Sequence, residues 1–207
     1  MALTTYDELK SSITDFLNRD DLTSVIPDFI TMAESELNMN LRHWRQEERA
    51  IAPIDSQFSA IPADFLVIIS FHISSGDFRS LELIGKDEML DRRYKSGDAA
   101  GKPAFYAVTA GEIEVYPTPD GTYTTELYYF SRIDALSATN ATNWALEYFP
   151  NAYLYGALMH SAPYLKDDPR LQVWGTLYQA AINAINLEGE RSKTGGSGRR
   201  MRIRSYS

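Results

Sequence analysis

The chain of 207 residues has the composition of an ordinary globular protein, with 44% hydrophobic residues, 23% charged residues and a net charge of −8. This length suffices for one large domain or two small ones with a substantial core. The absence of cysteine excludes disulfides, thiolate zinc sites and cysteine nucleophiles. The first ten residues lack a basic leader and an apolar run, and no window approaches the roughly 18 apolar residues of a membrane span. We therefore expect no signal peptide and no membrane partner.

Two helices are predicted at the N-terminus. A capping-box pattern begins at Thr5, and apolar residues follow at helical spacing over Tyr6–Leu17. A second helix is predicted to begin from a cap at Asp20 or Asp21 and to keep one apolar face as far as Leu41. The basic residues that follow suit the negative end of a helix dipole and are Arg42, His43 and Arg45.

The period then changes from helical to alternating, which predicts β-strands. Arg49–Ile54 and Gln57–Ile61 are predicted to form a tight hairpin around Asp55 and Ser56, and the apolar run Val67–Ile73 is predicted to be a buried strand. The remaining strands are predicted at Leu81–Ile84, Ala104–Thr109, Glu112–Tyr116 and Thr122–Ser131, with a short helix at Lys86–Tyr94 and a turn at Ala110-Gly111. The middle of the chain is therefore expected to be a mostly antiparallel β unit.

Helices return in the last third of the chain. Asn143 can cap a short helix, Pro150 opens another, and Pro163 should kink or end it. Asp168-Pro169 is a cap followed by proline at the first helical position, and the helix that it opens is predicted to end near Gly189. Because isolated helices are marginal in water, we expect these helices to pack with the N-terminal pair.

The expected fold class is therefore α+β. The N- and C-terminal helices form a bundle, a mostly antiparallel β domain is inserted into it, and a flexible basic arm follows. The expected limits are 1–43 and 141–188 for the two parts of the bundle, 44–140 for the β domain and 189–207 for the arm.

No catalytic or metal-binding pattern emerges from the sequence. His43, His72 and His160 fall in separate predicted elements without a second ligand nearby, so each is expected to be structural. Residues 97–103, GDAAGKP, resemble a phosphate-binding loop only superficially, because the loop is one residue short and has proline where Ser or Thr would bind magnesium. We expect no enzyme activity, no cofactor and no metal.

The segment after Gly189 has a composition unlike that of the rest. Six cations and one acid give residues 189–207 a net charge of +5, so the remaining residues carry −13 of the total of −8. Such a segment cannot bury enough apolar surface to order itself. Its charge, opposite to that of the body, suggests a docking element, and a frayed C-terminus is the alternative. The predicted hinge consists of Gly195, Gly196 and Gly198. The predicted binding residues are Arg199, Arg200, Met201, Arg202, Ile203, Arg204 and Tyr206.

The order of segments resembles the head-to-tail adaptor proteins of tailed bacteriophages. The first two helices, residues 5–42, are similar to those of the family, and IPADF at 61–65 is a second match. The β segment KPAFYAVTAGEIEVYPTPDGTYTTELYYFSRIDALS is a third match, and NWALEYFPNAYLYGALMHSAPYLKDDPRLQVW, with its KDDPR break, is a fourth. Together these segments cover nearly the whole chain, whereas the basic tail matches only in character.

The resemblance implies a structural virion protein without a catalytic centre. Such proteins are made in the host cytoplasm and form a ring of twelve copies at the capsid vertex, or neck. The portal lies above, and tail, nozzle or tail-terminator proteins are bound below. DNA would pass through the channel without tight binding, and the C-terminal arm would bind the portal. Two alternatives remain open. One is a DNA-binding module that uses the arm, and the other is a cell-wall hydrolase, which is supported only by the abundance of carboxylates.

Overall fold

In a computed structural model of the chain, residues 3–97, 100–165 and 169–194 are described. The helices are α1 (Tyr6–Leu17), α2 (Ile26–Asn40), α3 (Lys86–Ser96), α4 (Trp144–Tyr148), α5 (Pro150–His160) and α6 (Arg170–Thr194). The strands are β1 (Glu47–Ile54), β2 (Phe58–Ala60), β3 (Phe65–Ile73), β4 (Arg79–Ser80), β5 (Glu82–Leu83), β6 (Phe105–Thr109), β7 (Glu112–Tyr116) and β8 (Tyr123–Ser131). Within these described ranges, no helix is long and apolar enough to cross a membrane.

The chain folds into two compact units. A helical unit contains the chain up to Gln46 and from Ile133 onward, and a β unit contains Glu47–Arg132. The expected α+β class, with a β domain inserted into a helical bundle, is confirmed. The inserted unit observed here begins later and ends earlier than the expected range 44–140. The reason is that His43 and Gln46 are buried within the helical unit, and Ile133 and Leu136 join its core.

Helix α5 lies at the centre of the helical unit, where it contacts α1, α2, α4 and α6. Its side chains Tyr153 and Leu158 are fully buried in a single apolar core. Gly156 makes this arrangement possible, because a Cβ atom at that position would lie 3.1 Å from the Cβ atom of Ala33 and 3.2 Å from Cε2 of Tyr178. The glycine therefore lets α2 and α6 both approach α5 closely.

The first helix forms as predicted, and the second begins later than predicted. In α1, the Thr5 hydroxyl accepts a hydrogen bond from the Glu8 amide at 3.3 Å, and the Glu8 carboxylate accepts one from the Thr5 amide at 3.0 Å. The proposed caps Asp20 and Asp21 do not begin α2, which starts at Ile26 without a side-chain cap. Asp21 instead accepts a hydrogen bond from Arg19 at 2.9 Å, so its carboxylate is engaged in the preceding turn.

The β unit consists of two four-stranded sheets that share a buried apolar cluster. One sheet has the order β1-β8-β3-β4 and the other β2-β7-β6-β5. Among these described strands, the pairing of β5 with β6 is parallel and the others are antiparallel. The shared cluster contains Ile54, Phe71, Ile73, Leu81, Tyr106, Ile113, Val115, Leu127 and Tyr129. The expected mostly antiparallel arrangement is confirmed.

One predicted hairpin is wrong and another is confirmed. Strands β1 and β2 lie in different sheets, because β1 pairs with β8 along its whole length, from Glu47 opposite Phe130 to Ile54 opposite Tyr123. A pairing eight residues long offers more backbone hydrogen bonds than the three-residue β2 could. The β6–β7 hairpin forms as predicted, and both of its loop residues, Ala110 and Gly111, have positive φ angles of 52° and 83°. This turn matches the right-handed twist of the strands.

Strand β3 is only partly buried, although its apolar run predicted a buried strand. Phe71 and Ile73 are buried, whereas Val67 and Ile69 are 43% and 42% exposed. One face of the sheet packs on the shared cluster, and two register shifts, between Phe65 and Val67 and between Ile68 and Ser70, change which residues lie on that face. Val67 and Ile69 therefore point outward, although simple alternation would place them on the same face as Phe71 and Ile73.

Candidate interaction surfaces

The predicted hinge and binding residues lie outside the described part of the chain. They are Gly195, Gly196 and Gly198, and Arg199, Arg200, Met201, Arg202, Ile203, Arg204 and Tyr206. The structure does describe the helix that leads to them. Helix α6 continues beyond the predicted end at Gly189 to Thr194, so Arg191 and Lys193 lie on the helix rather than in an arm. Both residues are good helix formers, and their charge suits the last turn of a helix.

Two residues fasten the end of α6 to the end of α2. The Asn186 side chain accepts a hydrogen bond from the Arg42 amide at 2.9 Å and donates one to the Asn40 carbonyl at 3.0 Å. At Gly189, a Cβ atom would lie 3.1 Å from Cδ2 of His43 and 3.3 Å from both its Cα atom and the Arg42 carbonyl oxygen. We call Asn186 and Gly189, with residues 40–43 beneath them, the α6 anchor. It holds the last turns of α6 against the end of α2.

The basic and aromatic residues 42–45 hold the end of α2 in place next to this anchor. Arg42 donates a hydrogen bond to the Asn38 carbonyl at 3.1 Å and so completes the C-terminal end of α2. The His43 ring is fully buried and stacks on Trp144 with 5.4 Å between the ring centroids. The Arg45 guanidinium lies 3.8 Å from the centre of the Tyr148 ring. The run therefore completes the end of α2, and the His43 ring is packed in the interior of the helical unit.

A buried polar network joins α2 to the chain that returns from the β unit. The Glu34 carboxylate accepts hydrogen bonds from the Leu136 amide at 2.7 Å and from the Tyr153 hydroxyl at 3.4 Å. Asn143 caps α4 by accepting from the Leu146 amide, and its side-chain nitrogen donates to the Tyr153 oxygen at 2.7 Å. Burial raises the pKa of Glu34 and that of the Tyr153 hydroxyl, because each charged form loses its hydration.

The β unit presents an apolar surface around His72. The side chains of Ile51 and Phe78 are 55% and 70% exposed, and the His72 ring lies 5.1 Å from the Phe78 ring. A shallow groove on this surface is lined by Glu47, Ile69, Ser70, His72, Phe78, Glu126 and Tyr128. His160, the third histidine, lies on α5 with its Nε2 atom 3.6 Å from a Glu36 oxygen. Among the described residues, no group of three or more His, Asp and Glu side chains could hold a metal ion.

Comparison with known proteins identifies the family. The sequence matches the model of the SU10 adaptor protein family over residues 4–203. The chain belongs to this family. It is thus a bacteriophage adaptor, a structural component of the virion that interacts with other head and tail proteins. The match to the SU10 adaptors includes both units and extends into the basic segment as far as Ile203. No curated protein sequence matches the chain.

Proposed function

We propose that this adaptor forms a ring of twelve copies that joins the portal to the tail components and lines the DNA exit channel. The observation that carries the proposal is the match to the SU10 adaptor family across nearly the whole chain. Both described units lie within the match, so the helical unit, the β unit and most of the basic segment belong to the family pattern.

We further propose that the C-terminal segment binds the portal. The cations Arg199–Arg204 supply the charge, and Met201, Ile203 and Tyr206 supply apolar contacts that distinguish the portal from other acidic surfaces. The α6 anchor supports this role, because it holds the last described helix firmly and leaves the segment to start from a defined point. Repetition around the ring would make weak single contacts strong in sum.

The charge balance supports passage of DNA through the ring. With the basic segment set aside, the rest of the chain carries −13. A surface that is acidic overall makes few cationic contacts to phosphates, so DNA can slide past it without releasing the counterions that drive tight binding. A basic surface along the channel of the assembled ring would contradict this part of the proposal.

The portal role of the segment can be tested by truncation. A variant that ends at Thr194 keeps all of α6, so it should fold as the full chain does, and it should fail to capture the portal in a pull-down. Matched circular dichroism spectra would establish folding. Two full-length variants separate charge from apolar contact: one has the arginines at 199, 200, 202 and 204 replaced by glutamate, and the other has Met201, Ile203 and Tyr206 replaced by serine. Portal capture by the truncated chain would overturn the role of the segment.

The same variants test the alternative of a DNA-binding module. If the segment binds phosphates, the full chain should bind random DNA with an affinity that falls steeply with salt, and the serine variant should bind as well as the wild type. Portal binding through apolar contacts should depend less on salt and should be lost in the serine variant. Tight binding of random DNA without portal capture would favour the DNA-binding module.

A further inference from the structure

Helix α6 has two apolar faces, and among the described residues only one of them packs in its own helical unit. The buried face contains Trp174, Tyr178, Ala181, Ile182 and Ile185. The second face lies outward, where Val173, Leu177 and Leu187 are 56%, 39% and 47% exposed. We call it the outer α6 stripe, and it consists of Val173, Leu177, Ala180, Ala184 and Leu187, all of them exposed.

The spacing within the outer α6 stripe alternates between four and three residues. This spacing is the seam of a coiled coil, in which apolar side chains insert between those of a facing helix. The small residues at 180 and 184 allow a second helix backbone to come close. A groove beside the stripe is lined by Gln172, Gly175, Thr176, Gln179, Ala180 and Asn183. The pattern therefore indicates that the missing partner is a helix.

Helix α2 carries a matching surface. Its inner face is buried through Phe29, Ile30, Ala33 and Leu37. On the opposite side Met32 and Met39 are 50% and 63% exposed, and Asp28 and Ser35 are exposed with them. These four residues form the outer α2 stripe, whose spacing of four, three and four residues equals that of α6. Both helices pack on α5 by their inner faces, so both outer stripes are available on one copy of the chain.

We infer that the outer α6 stripe of one copy packs against the outer α2 stripe of its neighbour, with the two helices antiparallel. This inference rests on the ring proposed above. An interface between two different surfaces of the same chain is heterologous, and a heterologous contact repeated by rotation closes into a ring. Contact of α6 with the α6 of a second copy would instead use one surface twice and would stop at a dimer.

The charges at the helix ends favour the antiparallel direction. Of the three acids of α2, Glu34 is buried and Glu36 lies beside His160, so Asp28, at the N-terminal end of the outer α2 stripe, supplies the charge of that stripe. The outer α6 stripe is uncharged from Val173 to Leu187, and the same spacing continues to Arg191. In the antiparallel arrangement Leu177 faces Met39 and Ala184 faces Met32. Arg191 then lies just beyond Asp28, and the two helix dipoles oppose each other.

Disulfide cross-linking tests the interface directly, because the chain contains no cysteine of its own. The double variants L177C/M39C and A184C/M32C place thiols together in the antiparallel arrangement. L177C/M32C and A184C/M39C are matched controls with the same positions in the parallel arrangement. Each full-length variant is assembled on the portal, oxidised and separated without reductant. We expect the first two variants to form ladders of covalent multimers, several-fold more abundant than those of the controls, while each single variant stays monomeric.

The possible failures are distinguishable by the mass of the portal complex before oxidation. A ring that assembles and yields no ladder from L177C/M39C or A184C/M32C overturns the α6–α2 interface and leaves the ring proposal intact. A ladder from the parallel controls alone overturns the antiparallel direction. If no ring assembles from the wild-type chain, both the proposed function and this interface are overturned.

A charge contrast at one position gives a second test. Ala184 is exposed, so glutamate or lysine at this position should leave the helical unit folded. In the ring, A184E lies about one helical turn from Asp28 of the neighbour's α2 and should reduce assembly on the portal, whereas A184K should assemble several-fold better than A184E. Equal assembly of both variants at the wild-type level would contradict the interface.

Discussion

The helical unit and the β unit stabilise themselves in different ways. In the helical unit α1, α2, α5 and α6 all bury side chains in one core, and the fully buried Tyr153 lies at its centre. In the β unit the apolar residues divide between two smaller clusters, and large side chains such as Ile51 and Phe78 remain exposed. The helical unit therefore depends on one large core, whereas the β unit depends on two small ones, and both units keep some apolar side chains exposed.

The largest expected effect separates core from surface. L158A removes a fully buried side chain of α5, and we expect it to lower the free energy of unfolding by about 2–5 kcal/mol because a cavity remains. V67A changes a β3 side chain that is 43% exposed and should cost less than about 1 kcal/mol. Chemical denaturation of both variants measures the difference. Equal losses would show that the buried Leu158 contributes no more stability than an exposed β3 side chain.

The two units also differ in how they hold a buried acid, because Glu114 of the β unit pairs with an arginine whereas Glu34 of the helical unit accepts hydrogen bonds from an amide and a hydroxyl. In the β unit Glu114 is buried beside Arg93, with 2.9 Å between Oε1 and the guanidinium Nε, and it also accepts a hydrogen bond from Gln57 at 2.9 Å. E114Q leaves the Arg93 charge without its buried counter-ion, so we expect a loss of about 2–3 kcal/mol. Thermal unfolding measures this loss, and E88Q serves as the control because the Glu88 carboxylate pairs with Arg92 at the surface. A loss no larger than that of E88Q would contradict the role of the buried pair.

The α6 anchor predicts a contrast between two glycines of the same helix. A methyl group at Gly189 meets the backbone of His43 and Arg42, so G189A should destabilise the helical unit by about 1–2 kcal/mol. At Gly175 the nearest atom to an added Cβ is the Met159 sulfur at 3.9 Å, so G175A should be neutral or stabilising by up to about 1 kcal/mol. Both are read from urea unfolding curves. Stabilisation by G189A would show that the close contact at the anchor does not constrain α6.

The smallest expected effect is a pH dependence. Burial raises the pKa of Glu34 above its ordinary value, so the folded state favours the protonated form more than the unfolded chain does. As the pH rises through the ordinary range of a glutamate, the unfolded chain loses its proton first and the stability of the wild type falls. E34Q lacks this loss, so its stability relative to the wild type should increase with pH. The free energy of unfolding of E34Q and of the wild type is measured at several pH values. A difference between the two that stays constant with pH would contradict the prediction.

Local patterns in the sequence were enough for the elements that depend on neighbouring residues. The capping box at Thr5 and the two-residue turn at Ala110-Gly111 both form as predicted. The β1–β2 hairpin failed because the true partner of β1 is β8, whose residues lie far away along the chain and compete through a longer pairing. Sequence spacing alone does not reveal such a partner.

The anchor was missed for a related reason. Gly189 was interpreted as the end of a helix, although residues with good helix propensity continue after it to Lys193. A glycine inside a helical pattern can signal close approach of another segment, and here that segment is His43. The outer α6 stripe is also visible as a spacing of apolar residues in the sequence. The buried stripe of the same helix is larger and more aromatic, and it suffices to predict the helix without the outer stripe.

The most direct test of the adaptor role is the mass of the portal complex. Purified portal is mixed with an excess of the full-length chain of 23.4 kDa, and the complex is weighed by native mass spectrometry. The proposed function predicts a single dominant species in which twelve copies have been added to the portal, and no addition when the chain ends at Thr194. A portal whose mass stays unchanged in the presence of the full-length chain would contradict it.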